Sequence, residues 1–195
     1  MSNKKRTLII AAIILGAILI SVISNLTITL IQRVSYPKKY EEIVEQYASE
    51  YNVPEYVIYA VIDTESGFDP NAKSKDGSLG LMQMTPEVFE LLTSDLHLNE
   101  YLDFEDLSDP ETSIRYGTYY LRYLFDKFHK WSVVFAAYDA GESQVLDWLY
   151  DPKYSTDGEI LKKIPIRSTQ SYVKSVSRAQ DYYKNTYYRN GVSVK

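Results

Sequence analysis

Between Leu8 and Ile31 the chain runs for 24 residues with only Ser21, Ser24, Asn25, Thr27 and Thr29 as mild polar breaks. No other feature restricts the fold as strongly. In a bilayer core every backbone N–H and C=O must be bonded within its own segment, so an apolar run of this kind is a helix, and about 20 such residues suffice to span. Lys4, Lys5 and Arg6 precede it, which keeps residues 1–7 cytoplasmic and sends the remainder outside. Arg33, Lys38 and Lys39 follow it and oppose that bias. A signal peptide is the rival reading. Against it stand the length of the run and the lack of a small-x-small site after it. The expected organisation is a basic N-terminus at 1–7, a transmembrane anchor (or uncleaved signal) at 8–31 and one extracytoplasmic domain at 36–195.

Charge separates the two parts. Four of the 21 basic residues and none of the 26 acidic ones lie in the first 35 positions, leaving 17 against 26 and a net of −9 for the rest. Nucleic acid is thereby excluded as a partner, because phosphate contacts need clustered Lys and Arg. The absence of cysteine rules out disulfides and a thiol nucleophile. His97 and His129 are isolated, without ligand-spaced partners, so no metal site is expected.

Helical periodicity dominates the domain. Ser35-Tyr36-Pro37 reads as the start of a helix in which Tyr40, Ile43, Val44, Tyr47 and Tyr51 share a face. Asp109-Pro110-Glu111 caps a long one with Ile114, Gly117, Leu121, Leu124, Phe125 and Phe128 on its core side. Val133 to Ala140, then Val145 to Leu149 beyond Gly141, supply two more. Residues 151–167 read as a polar loop before a last helix carrying Tyr172, Val173, Val176 and Tyr183. Residues 67–82 have room for one short β-hairpin. All 19 tyrosines lie outside the apolar run. Tyr47, Tyr120, Tyr123 and Tyr183 read as half-buried packing residues with wet hydroxyls.

Glu65 is the candidate for chemistry. Val53 and Pro54 open a helix whose apolar face is Val57, Ile58, Val61 and Ile62; Glu65 continues that face, and Gly67 stops the helix. Burial and the negative end of the helix dipole both disfavour the carboxylate, so its pKa should rise. A carboxyl held protonated near neutral pH is a general acid; the bland alternative is a carboxylate that reaches solvent. After it comes a loop with turn signals at Asp69-Pro70 and Asp76-Gly77, then Gly80-Leu81-Met82-Gln83-Met84 and the helix cap Thr85-Pro86-Glu87.

Glu65-Ser66, Phe68, Pro70, Ala72, Ser74, Gly77, Gly80-Leu81-Met82-Gln83 and Pro86 together resemble the catalytic-domain motif of the soluble lytic transglycosylase family, which cleaves bacterial peptidoglycan strands. Ala136-Ala137-Tyr138-Asp139-Ala140-Gly141 resembles that family's Ala-Tyr-Asn-Ala-Gly motif, and Ile164-Pro165 through Tyr172-Val173 its closing motif. The resemblance covers roughly residues 40 to 188 and implies a mainly α, lysozyme-like domain. It implies one catalytic acid, Glu65, with substrate contacts from Ser74, Ser78, Leu79, Met82, Gln83, Tyr138 and Asp139. Gly80 and Tyr172 would be structural near the site. By the same resemblance Tyr138 hydrogen-bonds and orients the acid, Met82 and Gln83 lie at the groove wall, and backbone groups around Ser78 and Leu79 position acetamido groups. Asp139 stands where the family usually has Asn, and Ser168 where it has Glu. Asp139 would raise the Glu65 pKa further, and Ser168 is an alternative cap for the last helix.

The implied activity is cleavage between N-acetylmuramic acid and N-acetylglucosamine with closure of a 1,6-anhydro ring, in cell-wall remodelling and without a cofactor. The implied partners are peptidoglycan glycan strands and the membrane, with a cell-wall or secretion machine as a further candidate. Three other readings stand beside it. A lysozyme-type muramidase would use Asp63, Asp69, Asp76 or Asp139 as a second carboxylate. A peptidoglycan-binding scaffold would have lost turnover. A membrane-anchored interaction protein would show an exposed apolar patch.

Overall fold

The computed structural model describes residues 3–95, 102–189 and 192–193, so His97 lies outside the described residues. The chain divides into two units, residues 1–37 and 38–195.

The first unit contains one helix, α1 (Asn3–Ser35). Within it Ile14, Leu15, Ile18, Leu19, Ile23 and Leu26 are all exposed. The longest run with described side chains is residues 13–28, so the expected anchor at 8–31 falls partly outside them. Among the described residues, no helix is long and apolar enough to cross a membrane.

The second unit is built from α2 (Glu41–Tyr51), α3 (Glu55–Glu65), α4 (Pro86–Asp95), α5 (Pro110–Phe128), α6 (Trp131–Ala140), α7 (Glu142–Tyr150) and α8 (Arg167–Tyr187), with a 3-10 turn at Phe104–Ser108. Helix α3 is the centre of it. Val57, Ile58, Tyr59, Ala60, Val61 and Ile62 are all fully buried, so α3 is covered on every side rather than on the single face its spacing suggests. It packs chiefly against α8, which also covers α6; α2 packs on α5, and α5 on α6. Each large aliphatic side chain withdrawn from water here contributes about 1.5–3 kcal/mol.

Local signals set most helix ends. Asp109 accepts from the Thr112 amide at 2.9 Å, with Pro110 in the first turn, and Thr85 accepts from Val88 at 3.3 Å to start α4. Three ends differ from expectation. Helix α2 starts at Glu41, because Tyr40 takes φ 60 and breaks any run from Ser35. Pro54 is the residue before α3 rather than inside it. The residue before α8 is Ile166, so Ser168 sits in the first turn and is not the cap.

The expected hairpin within 67–82 reduces to isolated bridges, Lys73 with Leu79 and Leu79 with Met84. A two-stranded antiparallel pair appears instead at the C-terminal end, β1 (Tyr188–Arg189) with β2 (Val192–Ser193). There Tyr188 donates to Glu55 at 2.7 Å, and the Lys38 ammonium lies 5.2–5.7 Å from the rings of Tyr59, Tyr187 and Tyr188. The tyrosines are drier than the sequence suggests. Tyr183 is fully buried, and the hydroxyl of buried Tyr47 donates to Glu111 at 2.9 Å rather than to solvent.

Gly80 is the most crowded of the described glycines. Its φ is +84, and a Cβ there would lie 2.1 Å from the Leu107 carbonyl oxygen and 2.8 Å from the Ser113 hydroxyl. Gly77 has φ +89 but would meet nothing within 4 Å. Gly80→Ala should therefore destabilise the protein by more than about 3 kcal/mol, strain and clash together, and Gly77→Ala by about 1 kcal/mol, strain alone. Urea denaturation of the two full-length variants measures the difference; equal losses would show that the Leu107 carbonyl moves aside.

Candidate active site

Glu65 is the last residue of α3. The helix ends there because Gly67 and Phe68 both take positive φ, 58 and 67, and the chain turns back beneath the helix end. The Ser66 hydroxyl fixes that turn, lying 2.8 Å from the Leu81 carbonyl and 3.1 Å from that of Ile62 while accepting from the Phe68 amide at 3.2 Å.

Glu65 is half-buried, and the one protein partner of its carboxyl among the described residues is Tyr172 on α8, whose hydroxyl donates to Oε1 at 2.6 Å. Burial pushes the Glu65 pKa up; the Tyr172 bond lowers it, and the nearby Asp139 charge raises it again. The balance is about 7 against an ordinary 4.5. Burial and the Glu65 charge hold the Tyr172 phenol well above its usual range, so Tyr172 remains a donor throughout the neutral range. With Oε1 occupied, the proton of the neutral acid belongs on Oε2.

Beyond Ser66 the loop closes on itself. Gly80 donates to Ala72 O and Ser74 to Ser78 O, both at 3.0 Å; Leu79 and Met84 exchange both backbone bonds, at 3.0 and 3.1 Å. Gln83, at φ 48, donates its side-chain amide to the carbonyls of Ala72 and Gly80 at 2.8 and 3.0 Å. The Ser74 hydroxyl accepts from the Ser78 amide at 3.0 Å. From α6, the Tyr138 hydroxyl donates to the Met82 carbonyl at 2.7 Å.

At the end of α3, then, stands a carboxyl with its pKa raised toward neutrality, bonded by the Tyr172 phenol and followed by a self-bonded glycine loop. The transglycosylase SLT domain model matches residues 42–160. The chain belongs to that family. It is 32% identical over 151 residues to the soluble lytic murein transglycosylase of Escherichia coli K12, covering 76% of this chain and 23% of that protein. It is 30% identical over 173 residues to the membrane-bound lytic murein transglycosylase C of Yersinia pestis, covering 75% of this chain and 47% of that one. The crystal structure of the 70 kDa soluble lytic transglycosylase of E. coli superposes with a TM-score of 0.70 at 28% identity, over 79% of this chain and 25% of that one. A complex of a 70 kDa soluble lytic transglycosylase with bulgecin A gives 0.73 at 27% identity, over 84% of this chain and 27% of that one. The lysozyme-like helical fold is thus shared, and the chain spans between about a quarter and a half of the length of these relatives.

Within this SLT domain several expected contacts take other positions. Tyr138 bonds the Met82 carbonyl rather than Glu65, although the Glu65 charge reaches its phenol; the phenol bonded to the acid is Tyr172 of α8. Met82 is fully buried, and its side chain fills the space over Gly117, where a Cβ would meet its sulfur at 2.3 Å. It is core, not groove wall. Leu79 is also buried, and the amides of Ser78 and Leu79 are occupied by Ser74 and Met84. Ser74 and Gln83 brace the loop, with both amide donors of Gln83 occupied. Gly80 is structural as expected. Asp139 is exposed yet near enough for its charge to reach Glu65 and Tyr172. The sequence reading missed Ser113, a fully buried hydroxyl that accepts from the Met82 amide at 3.2 Å. Its only signal was a polar residue one turn beyond the Asp109 cap. His129 ends α5 with φ 55 and is exposed, and among the described residues no acidic, His or Cys group forms a metal cluster.

Two substitutions should move the Glu65 titration in opposite directions. Tyr172→Phe removes a bond that favours the charged form, so the pKa should rise above about 7. Asp139→Asn removes a like charge, so it should fall below that value. Carboxyl-carbon NMR titration of the full chain reads both. Shifts of the same sign would mean that solvent access, not these neighbours, sets the value.

Proposed function

We propose that the protein is a lytic transglycosylase of peptidoglycan, with Glu65 as its single acid and base. The observation that carries this reading is the half-buried Glu65 carboxyl, its pKa raised to about 7 and its Oε1 bonded by Tyr172. The names of the SLT-domain relatives, lytic murein transglycosylases both soluble and membrane-bound, support murein as the substrate.

In the first step Oε2 of Glu65 gives its proton to the oxygen bridging N-acetylmuramic acid and N-acetylglucosamine, as that bond breaks. Glu65 is then an anion, stabilised by the Tyr172 hydroxyl. In the second step it removes the proton of the muramyl 6-hydroxyl, whose oxygen attacks the anomeric carbon and closes a 1,6-anhydro ring. The muramyl acetamido group shields the cationic intermediate, a substrate-assisted route. No water enters the product. Asp139, by raising the Glu65 pKa, extends the acid form toward neutral pH.

One observation favours a second reading. Asp139 is the carboxylate whose charge is registered at Glu65, and in a hydrolase it would activate water as a second carboxylate. Asp63 lies two residues before Glu65, roughly 200° around the helix, and Asp69 and Asp76 are exposed on the loop. Product mass separates the readings. Full-length protein digesting purified murein should release muropeptides lighter by one water and lacking a reducing muramyl end. Glu65→Gln should lower the rate at least 10²-fold. In wild type the rate should fall as pH rises through about 7, and Asp139→Asn should move that limb to lower pH. Reducing ends would establish hydrolysis, and no release by wild type would leave a binding scaffold.

We also propose that α1 anchors the catalytic unit in the membrane, with residues 1–7 cytoplasmic and the catalytic unit outside. The exposed apolar side chains of residues 13–28 and the basic Lys4, Lys5 and Arg6 before them support it. An anchored enzyme would act on the wall near its own membrane, beside wall-building or secretion machinery. Full-length protein should stay with the membrane pellet through an alkaline carbonate wash, and Leu15→Asp/Leu19→Asp should release it; a wild type that washes off would end the anchoring proposal.

A further inference from the structure

A cleft of about 630 Å³ lies between α4, α5 and the α6–α7 junction, lined by Glu87, Val88, Leu91, Tyr120, Glu142 and Asp147 among others. Glu65, Tyr172 and the loop residues do not line it, yet it adjoins the candidate site. Its walls are the segments that directly follow Met84 and Asp139, and its floor residue Tyr120 contacts the Tyr138 ring at 5.3 Å.

Two observations set its chemistry. First, its charged rim is acidic. Neither Glu87 nor Asp147 has a basic partner among the described residues. Glu142 holds the chain's own Lys127 at 2.6 Å, and that ammonium also meets the Tyr123 hydroxyl at 2.5 Å and its ring face at 4.2 Å. The edge of the cleft therefore already holds one ammonium by carboxylate, phenol and π-face. Second, Tyr120 is 5% exposed and lines the cleft. Its hydroxyl has no hydrogen-bond partner among the described residues, although the Glu142 charge reaches it. A phenol whose side chain is buried and whose hydroxyl, unbonded by protein, is accessible at a polar cleft is a donor and acceptor available to a ligand.

We propose that this cleft binds a primary ammonium group carried by the substrate, with Glu87 and Asp147 as counter-charges and Tyr120 as the hydrogen-bonding floor. Val88 and Leu91 receive the apolar body that carries the amine. The proposal rests on the peptidoglycan reading above and narrows it to strands bearing free amines. Two parts of such a strand supply that chemistry: a de-N-acetylated glucosamine, or the side-chain amine of a diamino acid in the attached peptide.

The test measures binding to full-length protein by calorimetry at low salt. The probes are a glucosamine tetramer against its N-acetylated form, and a lysine tripeptide against its ε-N-acetylated form. Wild type should prefer one amine probe over its acetylated partner by about tenfold, as charge-assisted hydrogen bonds allow. Glu87→Gln/Asp147→Asn should abolish the preference. Tyr120→Phe should weaken it without loss of stability, since that hydroxyl makes no bond in the folded protein. A distant neutralising pair, Glu42→Gln/Asp181→Asn, should leave it intact, which separates the cleft from overall negative charge. The amine probe preferred tells glycan from peptide. No preference in either pair, or one that survives Glu87→Gln/Asp147→Asn, overturns the proposal. Murein cleavage is read separately: cleavage without amine preference defeats this inference alone, and amine preference without cleavage defeats only the catalytic reading beneath it.

Discussion

The hydrogen bond from Tyr172 to Glu65 joins the two elements on which the domain is built. At 2.6 Å it links the end of α3 to the first half of α8, across the most extensive helix–helix contact of the unit. A buried carboxyl with no donor would be strongly penalised as an anion. With one phenol the penalty is reduced but not removed, which places the titration near neutrality. The packing of α3 against α8 therefore sets both the core and the acidity of the site.

The loop from Ser66 to Thr85 follows a second logic. Its backbone is occupied by its own residues: Ser74 with Ser78, Leu79 with Met84, Gly80 with Ala72. Gln83 adds side-chain bonds to two carbonyls that already accept backbone amides, those of Ala72 and Gly80, and Ser66 ties the helix end to the Leu81 carbonyl. Motif residues that look like ligand contacts are thus largely the internal bracing of an irregular segment. Such bracing has a physical cause, since irregular backbone near a buried carboxyl must satisfy its polar groups without a helix or sheet ladder. These bonds fix the positions of the loop's carbonyls, including the one that Tyr138 binds.

Much of this was legible in the sequence. The spacing of Val57, Ile58, Val61 and Ile62 placed Glu65 on a buried helix end, and Asp109-Pro110 and Thr85-Pro86 marked helix starts that the backbone confirms. Asp139 was identified as a charge that would raise the Glu65 pKa, and its charge acts in that direction, after burial and against the Tyr172 bond. Periodicity could not reveal that Tyr59 and Ala60 are buried as well, because it reports one face and α3 is enclosed by neighbours on all of them. Nor could it assign the phenol: Tyr138 and Tyr172 are both motif tyrosines, and only the crossing of α8 over α3 decides which one reaches the carboxyl. Met82 was misplaced for the same reason, since an apolar residue in a loop can face a groove or fill the core behind it, while the backbone groups of Ser78 and Leu79 are taken up by bonds within the loop.

By itself the sequence determined the helical character of the domain, the acid at the end of α3, the glycine positions of the loop and the family to which they belong. These follow from local spacing and from backbone conformations that few residue types adopt. The tertiary structure alone decided the donor to Glu65, the partners of the Met82 backbone, and the acidic cleft over Tyr120. Each of these is a meeting of residues far apart in the chain: Glu65 with Tyr172, Met82 with Ser113 and Tyr138, Glu87 with Asp147. Such meetings depend on how helices cross, and crossing is fixed by the collective packing of side chains rather than by any local pattern.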